Sequence, residues 1–200
     1  LGSHGYWFDH GTYLFDEELL VPLIVRFPGA ARAGARVQQQ VRLLDVTPTV
    51  LDALGMPAAL ATSGASRLPL ADGLPEQGER ASYALSDIAG DVSGFPIEGR
   101  RLSLRARGHK LIWSSAHWLD TTRVPEREEL YDLAGDPGEH DDLRRRGRIP
   151  AAPFDDIRTQ LQKWRDATAD LRPSADVSDE VLEQLRKLGY QGVASREFRA

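Results

Sequence analysis

Two histidines near the beginning of the chain have the clearest chemical potential. His4 and His10 lie in the stretch LGSHGYWFDHG, among glycines and aromatic residues. Histidine titrates near neutral pH, so such a pair can donate to an oxyanion, transfer a proton or bind a metal. The spacing of the pair matches neither one face of a helix nor a familiar pair of metal ligands. On spacing alone, two loop histidines packed against the neighbouring aromatic rings are the simpler interpretation.

Acidic residues at two places resemble ligands of a hard cation. Asp9 and the run 16–18 lie around a short stretch predicted to be helical, where exposed acids are the simpler interpretation. The acids around 136–142 lack the regular alternation of a calcium loop, so a turn at Asp136-Pro137-Gly138 accounts for them better. Three further histidines are isolated in the sequence and are interpreted as structural or exposed: His109, His117 and His140.

Composition restricts the class of protein. The chain has 200 residues, 41% of them hydrophobic and 28% charged, which is typical of one large or two small globular domains. A net charge of -5 argues against a nucleic-acid-binding surface, and no apolar run reaches the length of a membrane span. The absence of cysteine excludes disulfides and thiolate metal sites and leaves the compartment open. There is no initiator Met or signal peptide, and the chain starts within a motif, so we expect a fragment.

The first part of the chain is typical of the end of an α/β domain. The apolar run PLIVRF, residues 22–27, predicts a strand buried on both faces. The segment DVTPTVLDALG predicts a helix over 47–54, with Thr47 as a cap and Gly55 as its end. Between them, residues 36–44 fit either a strand or a loop. We expect residues 1–75 to form this end of an α/β domain.

After a connection rich in Gly, Pro, Ala and Ser, the sequence pattern changes to short segments typical of strands. RLSLRARG and HKLIWSS predict two adjacent antiparallel strands over 101–115, joined near Gly108, the first of them half-buried. Residues 128–143 begin extended and then turn. Helical spacing of apolar residues predicts helices over 154–169 and 178–188. We therefore expect an antiparallel sheet with a packed helix over 76–172 and a helical tail over 173–200.

Five strings in this order resemble the C-terminal part of the sulfatase family, within the alkaline phosphatase superfamily. They are LGSHGYWFDHGTYLFDEELLVPLIV, RLLDVTPTVLDALGMP, GASRLPLADG, RARGHKLIW with ELYDLAGDPGEHDDL, and SDEVLEQLRKLGYQG. The resemblance implies the end of an alkaline-phosphatase-like α/β sandwich followed by a small subdomain with an antiparallel sheet and helix. It also implies a small-molecule or glycan sulfate ester as substrate, and it admits a periplasmic or secreted location.

In sulfatases the nucleophile is a formylglycine made within Cys/Ser-x-Pro-Ser-Arg, assisted by a divalent cation such as Ca²⁺. This chain contains neither that string nor the family's Asp-His metal ligands, so the resemblance places both upstream and assigns no metal ligand here. The chain alone does not look like a complete enzyme. Two alternatives stay open: a phosphonate or phosphate monoester hydrolase on the same scaffold, and a non-catalytic relative that acts as an interaction module.

The resemblance gives the two histidines expected roles. His10 falls close to the place where many members have a lysine that contacts the sulfate. It is therefore a candidate substrate-binding and catalytic residue, which would donate to a sulfate oxygen or protonate the leaving alcohol. His4 corresponds to the histidine of the family's Gly-x-His-Gly. It is the second catalytic candidate, with shaping of the pocket wall as its expected contribution.

Overall fold

The computed structural model describes residues 4, 13–56, 63–76, 78, 80–92, 95–119, 122–169, 184 and 187. The chain divides into two compact units. The smaller unit comprises Leu20–Ser82, and the larger comprises Leu1–Leu19 with Tyr83–Ala200. The helix predicted over 178–188 and the helical tail lie outside the described residues, and the domain boundaries expected from the sequence stay predictions.

The larger unit is built on an antiparallel sheet. Its strands are β1 (Ser82–Val92), β2 (Phe95–Ala106), β3 (His109–Ser114), β4 (His117–Leu119), β5 (Thr122–Val124) and β6 (Arg127–Asp132). The strand order is β5-β4-β2-β3-β6, and β1 also pairs with β2. The antiparallel sheet expected from the sequence is confirmed.

The β2–β3 hairpin is specified locally. Its register pairs Ala106 with His109 and Leu104 with Leu111. Between the strands, Arg107 and Gly108 both have positive φ, 52° and 69°. A two-residue connection with positive φ at both positions matches the twist of an antiparallel pair. This confirms the predicted pair of strands joined near Gly108.

One face of the sheet packs against α4 (Ala151–Ala167). The helix buries Phe154, Ile157 and Leu161, three members of the predicted apolar stripe. Because side chains alternate along a strand, the fully buried Leu104 and Leu111, which pair across β2 and β3, share one face. The helix predicted over 154–169 is therefore confirmed. Among the described residues, no helix is long and apolar enough to cross a membrane.

The opposite face is covered by residues that precede the sheet by more than sixty positions in the sequence. Leu14 and Phe15, just before α1 (Asp16–Leu19), pack with Ile112 and Tyr131 in a buried cluster. This face also carries Lys110, which is fully buried. The alternation in β2 predicts a half-buried strand, and that prediction is wrong because the N-terminal segment covers the basic side as well.

The smaller unit is mostly irregular. Its elements are 3-10 turns at Pro28–Ala30 and Leu43–Asp45 and the helices α2 (Val46–Ala53) and α3 (Leu68–Ala71). The helix predicted over 47–54 is confirmed, but the prediction of Thr47 as its cap is wrong, because the helix begins at Val46 after Asp45 and Thr47 lies within it. Residues 36–44 follow the loop alternative, apart from the 3-10 turn that begins at Leu43.

The strand predicted over 22–27 is wrong. The segment forms no strand, and Leu23, Ile24 and Val25 are 51%, 91% and 48% exposed. A strand requires a neighbouring chain to accept and donate its backbone hydrogen bonds, and the described residues place none beside this segment. The apolar run is therefore an exposed hydrophobic surface.

A buried carboxylate organises the smaller unit. Asp45 is fully buried and accepts from the backbone N–H groups of Ala65 (2.9 Å) and Arg42 (3.0 Å). Its Oδ1 also accepts from Arg80 Nη2 at 2.9 Å. Burial by itself would raise the pKa of Asp45. The donors from Ala65 and Arg42 outweigh that effect, so the pKa lies below its ordinary value.

We expect Asp45→Asn to lower the free energy of unfolding at pH 7 by about 2 kcal/mol, because charge-assisted hydrogen bonds are lost. Because the folded-state pKa is depressed, this stabilisation is present above the unfolded pKa of about 3.9 and is lost as the pH falls through the folded pKa. Urea unfolding at pH 7 and at successively lower pH measures the difference between the two proteins. Asp72→Asn, at the exposed pair with Arg32, is the matched control with a smaller effect. A difference that persists unchanged at the lowest pH would contradict this account.

The exposed run predicts self-association of the 200-residue chain. We expect Val21→Lys/Ile24→Lys to shift the chain towards monomer, because it breaks the apolar surface, in which both side chains are at least 60% exposed. Sedimentation velocity measures the change. Gln38→Lys/Gln39→Lys adds the same charge at exposed polar positions and controls for net charge. A monodisperse monomeric wild-type chain with cooperative unfolding would contradict the prediction.

Candidate functional site

The imidazole ring of His4 is held in place by face-to-face stacking on a neighbouring ring. The imidazole stacks on Phe15 with the centroids 3.7 Å apart and the planes 2° apart. Phe15 is buried and meets Tyr131 edge-on at 6.0 Å. An aromatic ring seated on a buried ring has little freedom to tilt, so the core of the larger unit orients His4. The role of His4 in a pocket wall, which the resemblance implies, stays a prediction.

A second histidine lies beside His4. The ring centroids of His4 and His140 are 4.9 Å apart, with 30° between the planes. His140 is exposed, as one of its two interpretations expected, and the fold also brings it against a residue that is 136 positions earlier in the sequence. No local sequence pattern signals this proximity. The other predicted site residue, His10, lies outside the described residues.

A buried ion cluster lies next to this histidine pair. Lys110 Nζ is 2.7 Å from Asp16 Oδ1 and 2.9 Å from Glu139 Oε1. The backbone N–H of Asp16 donates to Glu139 Oε2 at 2.5 Å. Arg105 Nε lies 3.3 Å from Asp16 Oδ2. Lys110 and Glu139 are 0% and 2% exposed, so each charge depends on its partners rather than on water.

The turn after β6 brings Glu139 to this cluster. The backbone N–H of Glu139 donates to the Asp136 carbonyl at 3.1 Å, and Asp136 Oδ2 accepts from the Asp141 N–H at 2.7 Å. Glu139 has a positive φ of 55°, which costs a non-glycine residue about 1–3 kcal/mol. Its two carboxylate contacts offset this strain. The interpretation of these acids as turn residues is confirmed.

Tyr131, the aromatic residue that Phe15 contacts, stays uncharged. Burial raises the pKa of Tyr131 far above its ordinary value, and the nearby carboxylate of Glu129 adds to the effect. The phenol therefore remains protonated and donates to Glu129 Oε1 at 3.3 Å. Phe15, on which His4 stacks, therefore packs against an uncharged side chain.

The described acids of α1, residues 16–18, do not form a cation site. Asp16 is buried and paired with Lys110 and Arg105, so its interpretation as an exposed acid is wrong. Within the described ranges, no group of three or more His, Asp or Glu residues is arranged to hold a metal ion. The described residues do not fit the divalent cation that the sulfatase resemblance implies. What they supply is a pair of imidazoles, whose N–H groups are suited to the oxygens of an anion.

The family model described as "N-sulphoglucosamine sulphohydrolase, C-terminal" matches residues 2–166. The chain is 29% identical over 149 residues to N-acetylglucosamine-6-O-sulfatase of Bacteroides thetaiotaomicron, covering 72% of this chain and 24% of that protein. It is 36% identical over 124 residues to arylsulfatase K of Gallus gallus, covering 60% of this chain and 21% of that protein. The chain therefore spans less than a third of the length of these relatives.

Two solved structures are similar in part. A 2-O GAG sulfatase has a TM-score of 0.45 and 19% identity, with 76% of this chain and 27% of that chain covered. A structure in complex with its substrate D-glucosamine-2-N,6-O-disulfate has a TM-score of 0.46 and 21% identity, with 66% and 25% covered. These low TM-scores add no weight to the assignment, which depends on the family match.

The match over residues 2–166 contains the stacked His4, the buried Lys110 and the turn that carries Glu139, and the model that it matches describes a C-terminal part. The chain belongs to the sulfatase family, in which it corresponds to the C-terminal portion.

Proposed function

We propose that this chain is the C-terminal part of an enzyme that hydrolyses sulfate esters. The observation that carries the proposal is the family match over residues 2–166. In the reaction, water is consumed, the ester linkage to sulfur is broken, and an alcohol and inorganic sulfate are released. The alcohol leaves more readily if its oxygen is protonated and if fixed donors meet the spare sulfate oxygens.

The contribution of this chain is a wall of the substrate pocket. His4 is oriented by Phe15 and lies beside His140, so both imidazoles are available at one place. His10 is proposed to donate to a sulfate oxygen or to the leaving alcohol, as the family resemblance implies. His4 is proposed to shape the wall against which the substrate lies.

The formylglycine nucleophile and a divalent cation, with Ca²⁺ as the expected ion, are proposed to come from parts of the protein outside this chain. Two observations support that assignment. The 200 residues contain no Cys/Ser-x-Pro-Ser-Arg string, and the described residues do not fit a metal. When bound, these groups would supply the attacking oxygen and offset negative charge on the sulfate.

The proposed substrate is a small-molecule or glycan sulfate ester, and a sulfated glucosamine is the first to test. The support is the activity for which the Bacteroides thetaiotaomicron relative is named, that of an N-acetylglucosamine-6-O-sulfatase. The exposed apolar run around Ile24 supports a different part of the proposal, that this chain belongs to a larger enzyme, since the run offers a surface on which the remainder of a catalytic domain can pack.

We expect the purified 200-residue chain to show no turnover of an aryl sulfate or of N-acetylglucosamine-6-O-sulfate, because it lacks a nucleophile. The complete protein should release inorganic sulfate from at least one of them, measured by ion chromatography against a heat-inactivated control. Release of phosphate from matched phosphate monoesters, without sulfate release, would favour the phosphohydrolase alternative. No hydrolysis of either class by the complete protein would favour a non-catalytic relative.

In the complete protein, we expect His10→Ala to lower kcat/KM by about 10²–10⁴-fold, because a positioned proton donor is removed. His10→Lys should recover part of this loss by returning a cationic donor. His4→Ala should cost less in turnover and more in thermal stability, since the stack on Phe15 is lost. Small and equal effects of all three changes on kcat/KM would show that both histidines are packed loop residues without a catalytic role.

A further inference from the structure

A single buried ammonium connects both segments that carry the histidine pair. One carboxylate on Lys110 belongs to Asp16, the residue that follows Phe15, on which His4 stacks. The other belongs to Glu139, the residue that precedes His140. The two contacts are 2.7 Å and 2.9 Å long, and Lys110 itself is fully buried in β3. The three residues Lys110, Asp16 and Glu139 are called the Lys110 clamp below.

The Lys110 clamp also ties its two acidic members to each other. Glu139 Oε2 accepts from the backbone N–H of Asp16, so the beginning of α1 is held by the turn after β6. The two segments lie 123 residues apart in the sequence, and the described contacts between them are gathered at this cluster and at the aromatic rings beside it. The relative position of His4 and His140 therefore depends on the clamp.

A contribution to stability alone does not account for this arrangement. Burying an ion pair costs desolvation free energy that its Coulomb attraction roughly offsets, and apolar residues of similar volume often serve a core as well or better. A buried charge does impose a unique arrangement, because few other positions of the segments leave all of its partners satisfied.

We propose that Lys110 is a positioning residue of the sulfatase site, which sets the geometry of the His4–His140 wall through Asp16 and Glu139. It does not touch the substrate. The effect of Lys110 on catalysis rests on the proposed function. Its effect on the positions of His4 and His140 does not.

The geometric test uses the 200-residue chain with Val21→Lys/Ile24→Lys, which is expected to be monomeric, and NMR of the histidine and phenylalanine rings. Lys110→Met keeps the length of the side chain and removes the ammonium. We expect it to abolish the cross-relaxation signal between the His4 and Phe15 rings and to move the ring signals of both His4 and His140, while the β2–β3 amides keep their pattern. Lys163→Met, the same substitution at an exposed position of α4, should change none of these signals.

A double variant separates positioning from stability. Lys110→Met leaves Glu139 without its cation, so Lys110→Met/Glu139→Gln should recover much of the lost thermal stability by removing the orphaned charge. It should not recover the His4–Phe15 signal, because the clamp is still broken. If Lys110→Met does not fold, the double variant alone decides between the two roles. An intact His4–Phe15 signal in either folded variant would overturn the proposal.

The catalytic arm uses the complete protein. We expect kcat/KM per folded molecule to fall about 10²-fold in both Lys110 variants, as a displacement of about 1 Å at a distance from the chemistry can cause. Lys163→Met should match the wild type. Wild-type kcat/KM in the stabilised double variant would overturn the proposal. If the complete wild-type protein hydrolyses no sulfate ester, the proposed function fails, and the NMR comparison alone decides whether the clamp positions the histidines.

Discussion

The larger unit depends on the need to neutralise an ammonium buried in the middle of a sheet face. Lys110 lies on β3 with no access to water, and an unpaired charge there would cost several kcal/mol. The two carboxylates that satisfy it come from opposite ends of the unit, Asp16 before the sheet and Glu139 after it. The N-terminal segment must therefore lie across the sheet, and the turn after β6 must adopt the positive φ of Glu139. Phe15 also packs with Ile112 and Tyr131 in a buried apolar cluster, and such packing is less selective about register.

In the smaller unit a buried charge again holds distant segments together, but here the buried group is a carboxylate and its partners are donors. Asp45 is a buried carboxylate that gathers a backbone N–H from Ala65 and the guanidinium of Arg80. The chain approaches so closely that a Cβ at Gly64 would lie 1.8 Å from the carbonyl oxygen of Leu44. Glycine is thus required for contact between the start of α2 and the loop GASRLPL. In both units a buried charge determines which distant segments come into contact. Among the described residues, the segments joined in this way contain few helices or strands.

The proposed function requires this chain to position residues for a site that other parts of the protein complete. Residues that contact ligands are commonly carried on irregular segments that a rigid scaffold positions. Here the scaffold is the β2–β3–β6 sheet with α4 on one face, and His4 and His140 lie on or beside the other. The family match shows that this chain is a sulfatase C-terminal portion, and its proposed contribution is to orient His4 and His140.

The sequence by itself determined the features that depend on neighbouring residues. Helices α2 and α4 follow from apolar spacing and, in α2, from the glycine at which it ends, and the β2–β3 hairpin follows from alternation and from Gly108, because these signals act within one or two turns of the chain. Only the tertiary structure decided that PLIVRF is not a strand, that the basic side of β2 is covered, and that His140 lies beside His4. The burial of Asp16 belongs to the same group, since the short acidic helix looks solvated until Lys110 is placed next to it. In each of these cases the outcome depends on a partner far away in the sequence or on the lack of one, and local periodicity carries no information about such a partner.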